Sequence, residues 1–438
     1  MIGTQIVETP DRESPGRTGA RTEAAASSVT LRSWPYPYEA ALAICSDLDE
    51  TPTAGDYFDM MRLLNTTEPT RLGRGVGLEV GNSIYFDMPP SQFSYWNADD
   101  RARASVRSLI QSGHVDCLHS FGDLAATRAH AGRALDELAR HDCALKVWID
   151  HAVAPSNFGA DIMRGSGDVE RSAAFHADLT CGFGIEYVWR GRVTSVIGQD
   201  VPRRLGGIAR WRHPAASSVT AAKEAAKGWL ARAGSPKYDS HRTNDLVWTS
   251  RLRSGQPVYE FLRANPSWAG ISVYETADGL GEVVTSAFLR TLVARGAACI
   301  LYTHLGKMRE PGRMLAASAR QALERTADAF SSGRLLVTTT TRLLDFCRAR
   351  RSVAWTAQAI DGDRVNIDIR TPSFSSISSI RPADDRWLAG LTFQVADPAR
   401  TTLTVDGRRA LTIRQNPKDA SGRASISVPW PRLDFPGL

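Results

Sequence analysis

An alternation of short apolar runs with amphipathic stretches, from about residue 37 to residue 350, constrains the fold more than any other feature of the sequence. The apolar runs have the length of buried strands, and they are predicted as strands at 39–46, 75–80, 114–119, 144–149, 184–189, 297–302 and 334–338. The amphipathic stretches are predicted as helices at 53–65, 99–112, 130–141, 283–295 and 311–332. Strands that alternate with helices favour a parallel sheet, and this many repeats suit a closed or nearly closed barrel. We therefore predict an α/β protein whose residues 33–350 form a closed or nearly closed (β/α) barrel.

The two ends of the chain differ from the region between them in composition and in the pattern of polar and apolar residues. Residues 1–32 are rich in Ser, Thr, Arg, Glu and Gly, and are predicted as a disordered tail that gives way to structure near Trp34. Residues 352–438 alternate polar and apolar positions around Asp361-Gly362 and Asp406-Gly407. Asp-Gly between alternating runs is a strong hairpin signal. The sequence thus predicts a small C-terminal β-sandwich domain at 352–438.

Composition excludes several classes of protein. The net charge of +6 is spread thinly over 438 residues, and no zinc-finger or RNP-like pattern occurs, so nucleic-acid binding is not predicted. No apolar run approaches the roughly 18 residues of a membrane-spanning helix. The six cysteines form no CxxC pair, which argues against a disulfide scaffold or a thiolate zinc site. The N-terminal residues lack the apolar segment of a signal peptide, so a cytoplasmic location is expected. The oligomeric state is not predicted.

Polar residues with acid–base or metal-binding chemistry follow several predicted strands. The carboxyl ends of strands are where catalytic residues of parallel α/β barrels lie. The residues at these positions are Asp47 and Asp49, His119 and Asp123, His151 with Asn157 nearby, Glu275, and His304. A mixed set of aspartates and histidines suits zinc or a similar divalent ion, which would activate water and polarise a carbonyl group.

Each of these signals also has a structural interpretation. Asp47 and Asp49 could both approach one metal, or one could bind the metal while the other acts as a base, but an acidic turn also caps helices. His119 and Asp123 are spaced i, i+4, which on a helical turn places both side chains on one side; a structural hydrogen bond between them is the alternative. Several histidines at strand ends, together with an aspartate pair, favour a metal or acid–base site.

Aromatic residues near the predicted loops and strand ends fit a cleft for sugars, because aromatic rings stack on pyranose faces. Core packing is the alternative for about half of them. The residues concerned are Tyr85, Phe86, Phe93, Tyr95, Trp96, Trp148, Trp189, Trp211 and Trp248. Trp148, together with His151, Asn157 and Glu275, is a candidate for a substrate contact or an alternative ligand.

At these residues the chain resembles the polysaccharide deacetylase superfamily, the NodB-homology carbohydrate esterases. Asp47-Leu-Asp49 resembles the acidic first motif of that family, His119-Ser-Phe-Gly-Asp123 its second motif, and Leu301-Tyr-Thr-His304 its last motif. The resemblance covers about residues 40–350 and leaves out both ends. Three departures from the family pattern indicate a divergent branch: Leu48 separates the aspartates, Asp123 stands where a second histidine is expected, and the last motif has an extra residue before its histidine.

The resemblance implies a distorted β/α barrel and a metal-dependent hydrolase that removes acetyl groups from the nitrogen or oxygen atoms of a polysaccharide or other glycan. Asp47 would be the catalytic base and His304 the catalytic acid. Asp49, His119 and Asp123 would bind a divalent metal ion, with zinc the favoured element. His151 matches no residue of the family motifs well and is a substitute ligand or a substrate contact.

Two other functions fit the same residues. A glycoside hydrolase on a related barrel would use a pair of carboxylates drawn from Asp47, Asp49, Asp150 and Glu275. A non-catalytic carbohydrate-binding protein would use the β-sandwich as its binding module, and it is favoured if Asp49, His119 and Asp123 do not converge.

Overall fold

A computed structural model describes residue 26 and residues 28–48, 51–205, 214–266, 275–308, 314–360, 364–371 and 385–438 of the chain. The described chain forms two compact units. The larger unit contains Ala40–Leu343 and Arg432–Leu438, and the smaller unit contains the described residues up to Glu39 and Leu344–Pro431. The boundaries differ from the sequence prediction: residues 33–39 and 344–350, predicted as part of the barrel, belong to the smaller unit, and Arg432–Leu438 belongs with the larger unit. Strand structure begins at Thr30, before Trp34.

The described residues form strands at the following positions: β1 Thr30–Leu31, β2 Ala40–Ser46, β3 Pro69–Thr70, β4 Gly73–Arg74, β5 Asn82–Ile84, β6 Val115–His119, β7 Val147–Ile149, β8 Tyr187–Trp189, β9 Val193–Thr194, β10 Val247–Arg251, β11 Pro257–Phe261, β12 Arg263–Ala264, β13 Ala298–Thr303, β14 Leu335–Thr338, β15 Ala354–Ile360, β16 Arg364–Arg370, β17 Thr392–Gln394, β18 Thr401–Val405, β19 Arg409–Ala410, β20 Arg414–Asn416 and β21 Ser425–Ser427.

The α-helices of the described residues are α1 Ala54–Asn65, α2 Asp100–Gln111, α3 Arg128–Arg140, α4 Ala177–Phe183, α5 Pro214–Arg232, α6 Ser240–Thr243, α7 Leu280–Val283, α8 Ser286–Ala294, α9 Ala317–Ser331 and α10 Thr340–Ser352. Short 3₁₀ helices occur at Pro236–Tyr238, Asp385–Leu388 and Pro398–Arg400. Within the described ranges, no helix combines the length and apolar character needed to span a membrane.

The larger unit is built on one curled, mostly parallel sheet. Its strand order is β10-β11-β8-β7-β6-β5-β2-β13-β12-β9, and β14 also pairs with β2. Every pair of neighbours is parallel except β10 and β11. Only Leu262 separates β11 from β12, although these strands lie near opposite ends of the path. The two ends of the sheet therefore approach each other, and the sheet curls.

Parallel pairing brings the carboxyl ends of the central strands to one level. Ser46, the last residue of β2, lies beside Thr303 of β13. On the other side of the sheet, His119 at the end of β6 lies beside Ile149 of β7. β2 is buried along its whole length. Its alternate residues Ala40, Leu42 and Ile44 pack in one apolar cluster with residues of α8 and α9. This register delivers Asp47, His119 and His304 to the same edge of the sheet.

The smaller unit contains two four-stranded sheets, in the orders β1-β17-β21-β20 and β15-β16-β18-β19. The predicted hairpins are confirmed, because β15 pairs antiparallel with β16 and β18 with β19. Asp406 and Gly407 both have positive φ angles, as the tight turn between β18 and β19 requires. β1 lies in the segment predicted as a disordered tail and pairs with β17.

Most predicted strands and helices of the larger unit are present, but two differ. The prediction of a strand at 75–80 is wrong, because Val76 and Leu78 donate their backbone N–H groups to the carbonyls of Leu63 and Leu64 near the end of α1. The helix predicted at 311–332 is observed as Ala317–Ser331, and residues 309–313 lie outside the described residues.

Candidate functional site

A buried ion pair between Asp47 and Arg263 forms the centre of the site. Asp47 directly follows β2, and Arg263 begins β12. The guanidinium of Arg263 donates from Nη1 to Oδ1 of Asp47 over 2.9 Å and from Nη2 to Oδ2 over 2.5 Å. The same guanidinium lies over the rings of Trp189 and Tyr302, 3.9 Å and 4.2 Å from their centroids. Burial acts to lower the pKa of Arg263, but the Asp47 carboxylate and the other acidic groups around the guanidinium together outweigh it, so the pKa of Arg263 lies above its usual value.

Two histidines face the same oxygen of this carboxylate. Nε2 of His119 and Nε2 of His304 each lie 3.9 Å from Oδ2 of Asp47. Nδ1 of His119 lies 3.2 Å from the carbonyl oxygen of Ile149 on the adjacent strand. The backbone N–H of His304 donates to the carbonyl of Glu275. Main-chain contacts thus orient both residues around Asp47.

A third histidine lies next to His119. The ring centroids of His119 and His151 are 4.9 Å apart, and Tyr85 packs against both rings at 5.0 Å and 5.4 Å. Nδ1 of His151 lies 2.9 Å from Oδ1 of Asp123. The aspartate and histidine at the ends of β6 and β7 therefore form a pair beside the ion pair of Asp47 and Arg263.

His119 and Asp123 do not share a helical turn. The chain between them is irregular, and Ser120 and Gly122 have φ angles of 45° and 100°. A Cβ atom on Gly122 would lie 2.2 Å from the carbonyl oxygen of Asp87, so this close approach requires glycine. The turn redirects Asp123, whose carboxylate contacts His151.

Asn157 and Trp148 support the site from behind, which corrects their assignment as candidate substrate contacts. The side chain of Asn157 is buried; it accepts from the backbone N–H of His151 and donates to the carbonyl of His151, each over 2.9 Å. Trp148 is completely buried and stacks on Phe158. Asn157 therefore fixes the backbone of His151, and Trp148 belongs to the core.

Asp150 is also committed to the structure. Its carboxylate accepts hydrogen bonds from Nε1 of Trp148 and from the backbone N–H groups of Phe158 and Gly159, over 2.7, 2.8 and 2.7 Å. Burial raises the pKa of Asp150 to about 7 in spite of these donors. These hydrogen bonds tie Asp150 to the backbone of the loop at Phe158 and Gly159.

His176 packs against Trp148 and Phe158 in the core next to the site, and its titration tests this packing. It is buried, with Nδ1 2.8 Å from the hydroxyl of Thr180 and Nε2 2.8 Å from the carbonyl oxygen of Ser156. Burial lowers the pKa of His176 from 6.5 to about 4. Between these values the unfolded chain binds a proton that the folded chain does not, so His176 makes stability fall as the pH falls.

We expect His176→Gln to be less stable than the parent protein at pH 7, with a difference that shrinks as the pH falls from 6.5 towards 4. The slope of this difference is expected to reach about 1.4 kcal/mol per pH unit, because the variant lacks the titrating group. Urea unfolding at a series of pH values measures it. Parallel stability curves for the two proteins would contradict the assignment of a neutral, buried His176.

The remaining predicted site residues fall in different places. Asp49 lies outside the described residues, as does Trp211. Glu275 is buried, and its carbonyl accepts from the hydroxyl of Thr303 as well as from His304. Most of the aromatic residues assigned to a sugar cleft are buried instead, and they are Tyr85, Phe86, Phe93, Tyr95, Trp148 and Trp189.

The predicted metal ion has suitable donors in part of this arrangement. His119 supplies an imidazole that is fixed by a carbonyl at Nδ1, as is usual for histidines that bind metals. Within the part of the chain that the structure describes, no group of three or more His, Cys, Asp or Glu side chains is arranged to hold a metal ion. The predicted ligand Asp49 is not in that part, so the complete ligand set stays a prediction.

Arg263 is the central residue that the sequence prediction missed. The available signal was an arginine within an apolar run, Val258-Tyr-Glu-Phe-Leu-Arg263, because a buried guanidinium needs a carboxylate partner. Together, the curled sheet and this site define a mixed α/β protein with a buried aspartate–arginine pair ringed by histidines. Comparisons with protein-family models, with curated proteins and with solved structures found no match.

Proposed function

We propose that this protein is a metal-dependent hydrolase of carbohydrates that removes acetyl groups from N- or O-acetylated glycans, as a divergent member of the polysaccharide deacetylase superfamily. The proposal includes the distorted barrel of that superfamily for the larger unit and a β-sandwich for the smaller unit. One observation carries it: His119 and His304 both face Oδ2 of Asp47, each at 3.9 Å. A carboxylate and two imidazoles around one point suit general acid–base hydrolysis of an acyl bond.

In the proposed reaction, Asp47 acts as the base. Each of its oxygens has a second lone-pair direction beyond the one that Arg263 occupies, so Oδ2 can accept a proton from water. The water oxygen forms a bond to the acetyl carbon, and the carbonyl oxygen becomes an oxyanion. Arg263 keeps the carboxylate fixed during this step, because it donates two hydrogen bonds to Asp47 and its guanidinium is itself packed over the rings of Trp189 and Tyr302.

His304 acts as the acid in the second half of the reaction. As the bond from the acetyl carbon to the sugar nitrogen or oxygen breaks, the protonated ring of His304 donates its proton to the leaving atom. The products are acetate and a free amine or hydroxyl group. When bound, a divalent ion held by Asp49 and histidine ligands would polarise the acetyl carbonyl and stabilise the developing negative charge.

A direct assay distinguishes the proposed hydrolase from a non-catalytic glycan-binding protein. We expect purified protein to contain a divalent metal and to release acetate from a panel of N- and O-acetylated oligosaccharides. Removal of the metal with a chelator should abolish acetate release, and added Zn²⁺ should restore it. Asp47→Asn, which is nearly isosteric, serves as the inactive control. Glycan binding without acetate release would contradict the proposed hydrolase.

A further inference from the structure

Asp123 and His151 form a pair whose geometry bears on the metal ligands of the proposed hydrolase. Their side chains contact at 2.9 Å, with the carboxylate 42% exposed and the imidazole 14% exposed. The contact is made by Nδ1 of His151. The carboxylate of Asp123 thus lies beside Nδ1 of His151, and the ring of His151 is itself packed against that of His119.

The position of this carboxylate determines which nitrogen of His151 suits a metal. A carboxylate beside Nδ1 favours a proton on that nitrogen, and the lone pair of the neutral ring is then on Nε2. The carbonyl of Ile149 imposes the same arrangement on His119. Both rings therefore favour the same tautomer, and their centroids lie 4.9 Å apart. Two such imidazoles are a usual part of a zinc-type site.

Hydrogen bonds to its backbone and contacts to its ring hold His151 in place. The side chain of Asn157 binds the backbone N–H and the carbonyl of His151, and a second bond from the same amide reaches the carbonyl of Ala152. The ring of Tyr85 packs against both His151 and His119. This support fixes the backbone of His151 and the spacing of the two imidazoles.

We propose that His119 and His151 are the imidazole ligands of the divalent ion, and that Asp123 is a positioning residue that orients His151 instead of binding the ion. The inference rests on the proposed metal-dependent function. In the ligand set that the sequence predicts, His151, which follows strand β7, takes the place of Asp123. Carboxylates that contact the second nitrogen of a metal-binding histidine orient its ring, and their loss weakens metal binding about 10–100-fold. Asp123 then has this role towards His151.

Co²⁺ titration of the metal-free protein, followed by its visible absorption and by elemental analysis, tests the assignment without an activity assay. We expect His119→Ala, His151→Ala and the bulkier His151→Gln to lose stoichiometric Co²⁺ binding. Asp123→Asn should retain the site with an affinity lower by about 10–100-fold. His130→Ala, which removes a histidine from helix α3, is the matched control and should bind Co²⁺ as the parent does. Thermal unfolding establishes that each variant is folded.

Two results would overturn the inference, and they are distinguishable from failure of the proposed function. Parent-like Co²⁺ binding by both folded His151 variants would show that His151 is not a ligand. Complete loss of binding in Asp123→Asn, equal to that in His119→Ala, would return Asp123 to the ligand set. If the parent protein itself binds no divalent ion under any condition, the metal-dependent function fails together with this inference.

Discussion

Replacing Arg263 with methionine is expected to lower the free energy of unfolding by about 3–5 kcal/mol, since removal of one partner of a buried ion pair leaves the other charge without compensation. Arg263 and Asp47 are both buried, and the guanidinium binds both carboxylate oxygens. Methionine preserves an unbranched, apolar stem beside Trp189 and Tyr302, so the loss reports mainly on the charge. Urea unfolding at neutral pH measures the change.

An exposed ion pair of similar geometry serves as the control. Arg128 binds both oxygens of Asp178 over 2.6 and 2.7 Å, but each side chain is 43% exposed. We expect Arg128→Met to cost less than about 1 kcal/mol, because water already solvates both charges. The double variant Asp47→Asn with Arg263→Met should recover part of the stability lost in Arg263→Met. Equal, small losses in the buried and exposed variants would contradict the assigned role of Arg263.

The sequence predicts the positions of the central strands and of the histidines that follow them, because both depend on local patterns. Apolar runs bounded by polar turns indicate β2, β6, β7 and β13, and the carboxyl ends of parallel strands meet at one edge. That rule alone places Asp47, His119, His151 and His304 in one region. The structure brings these four residues together as the rule requires.

Partners that are distant in the sequence could not be predicted in the same way. Asp47 and Arg263 are separated by 216 positions, and β12, which carries the arginine, contains only two residues. No local period identifies so short a strand. The conformation after His119 could not be predicted for another reason: spacing alone cannot distinguish a helical turn from one that contains residues with positive φ angles at Ser120 and Gly122. The partner of Asp123 depends on that turn.

Replacing His304 with glutamine is expected to reduce hydrolysis of an acetylated amine by about 10²–10⁴-fold, which is the usual contribution of a general acid or base. The same variant should hydrolyse an aryl acetate with a much smaller loss. An aryl oxide leaves without prior protonation, whereas an amine cannot leave until its nitrogen accepts a proton. Comparison of kcat/KM for the two substrates therefore isolates the proton that His304 donates.

Asp47→Asn is the matched comparison for this experiment. A base that activates water is needed for both substrates, so the asparagine variant should lose activity towards the amide and the aryl acetate to a similar extent. Asparagine keeps an oxygen that can accept from Arg263, but it cannot take the proton of water. Equal losses in His304→Gln for the two substrates would contradict the acid role of His304. A selective loss in His304→Gln identifies the acid, which a purely structural role of His304 does not produce. A general loss in Asp47→Asn identifies the base only for a folded variant, because Asp47→Asn also leaves the buried Arg263 without its charged partner; urea unfolding establishes that the variant is folded.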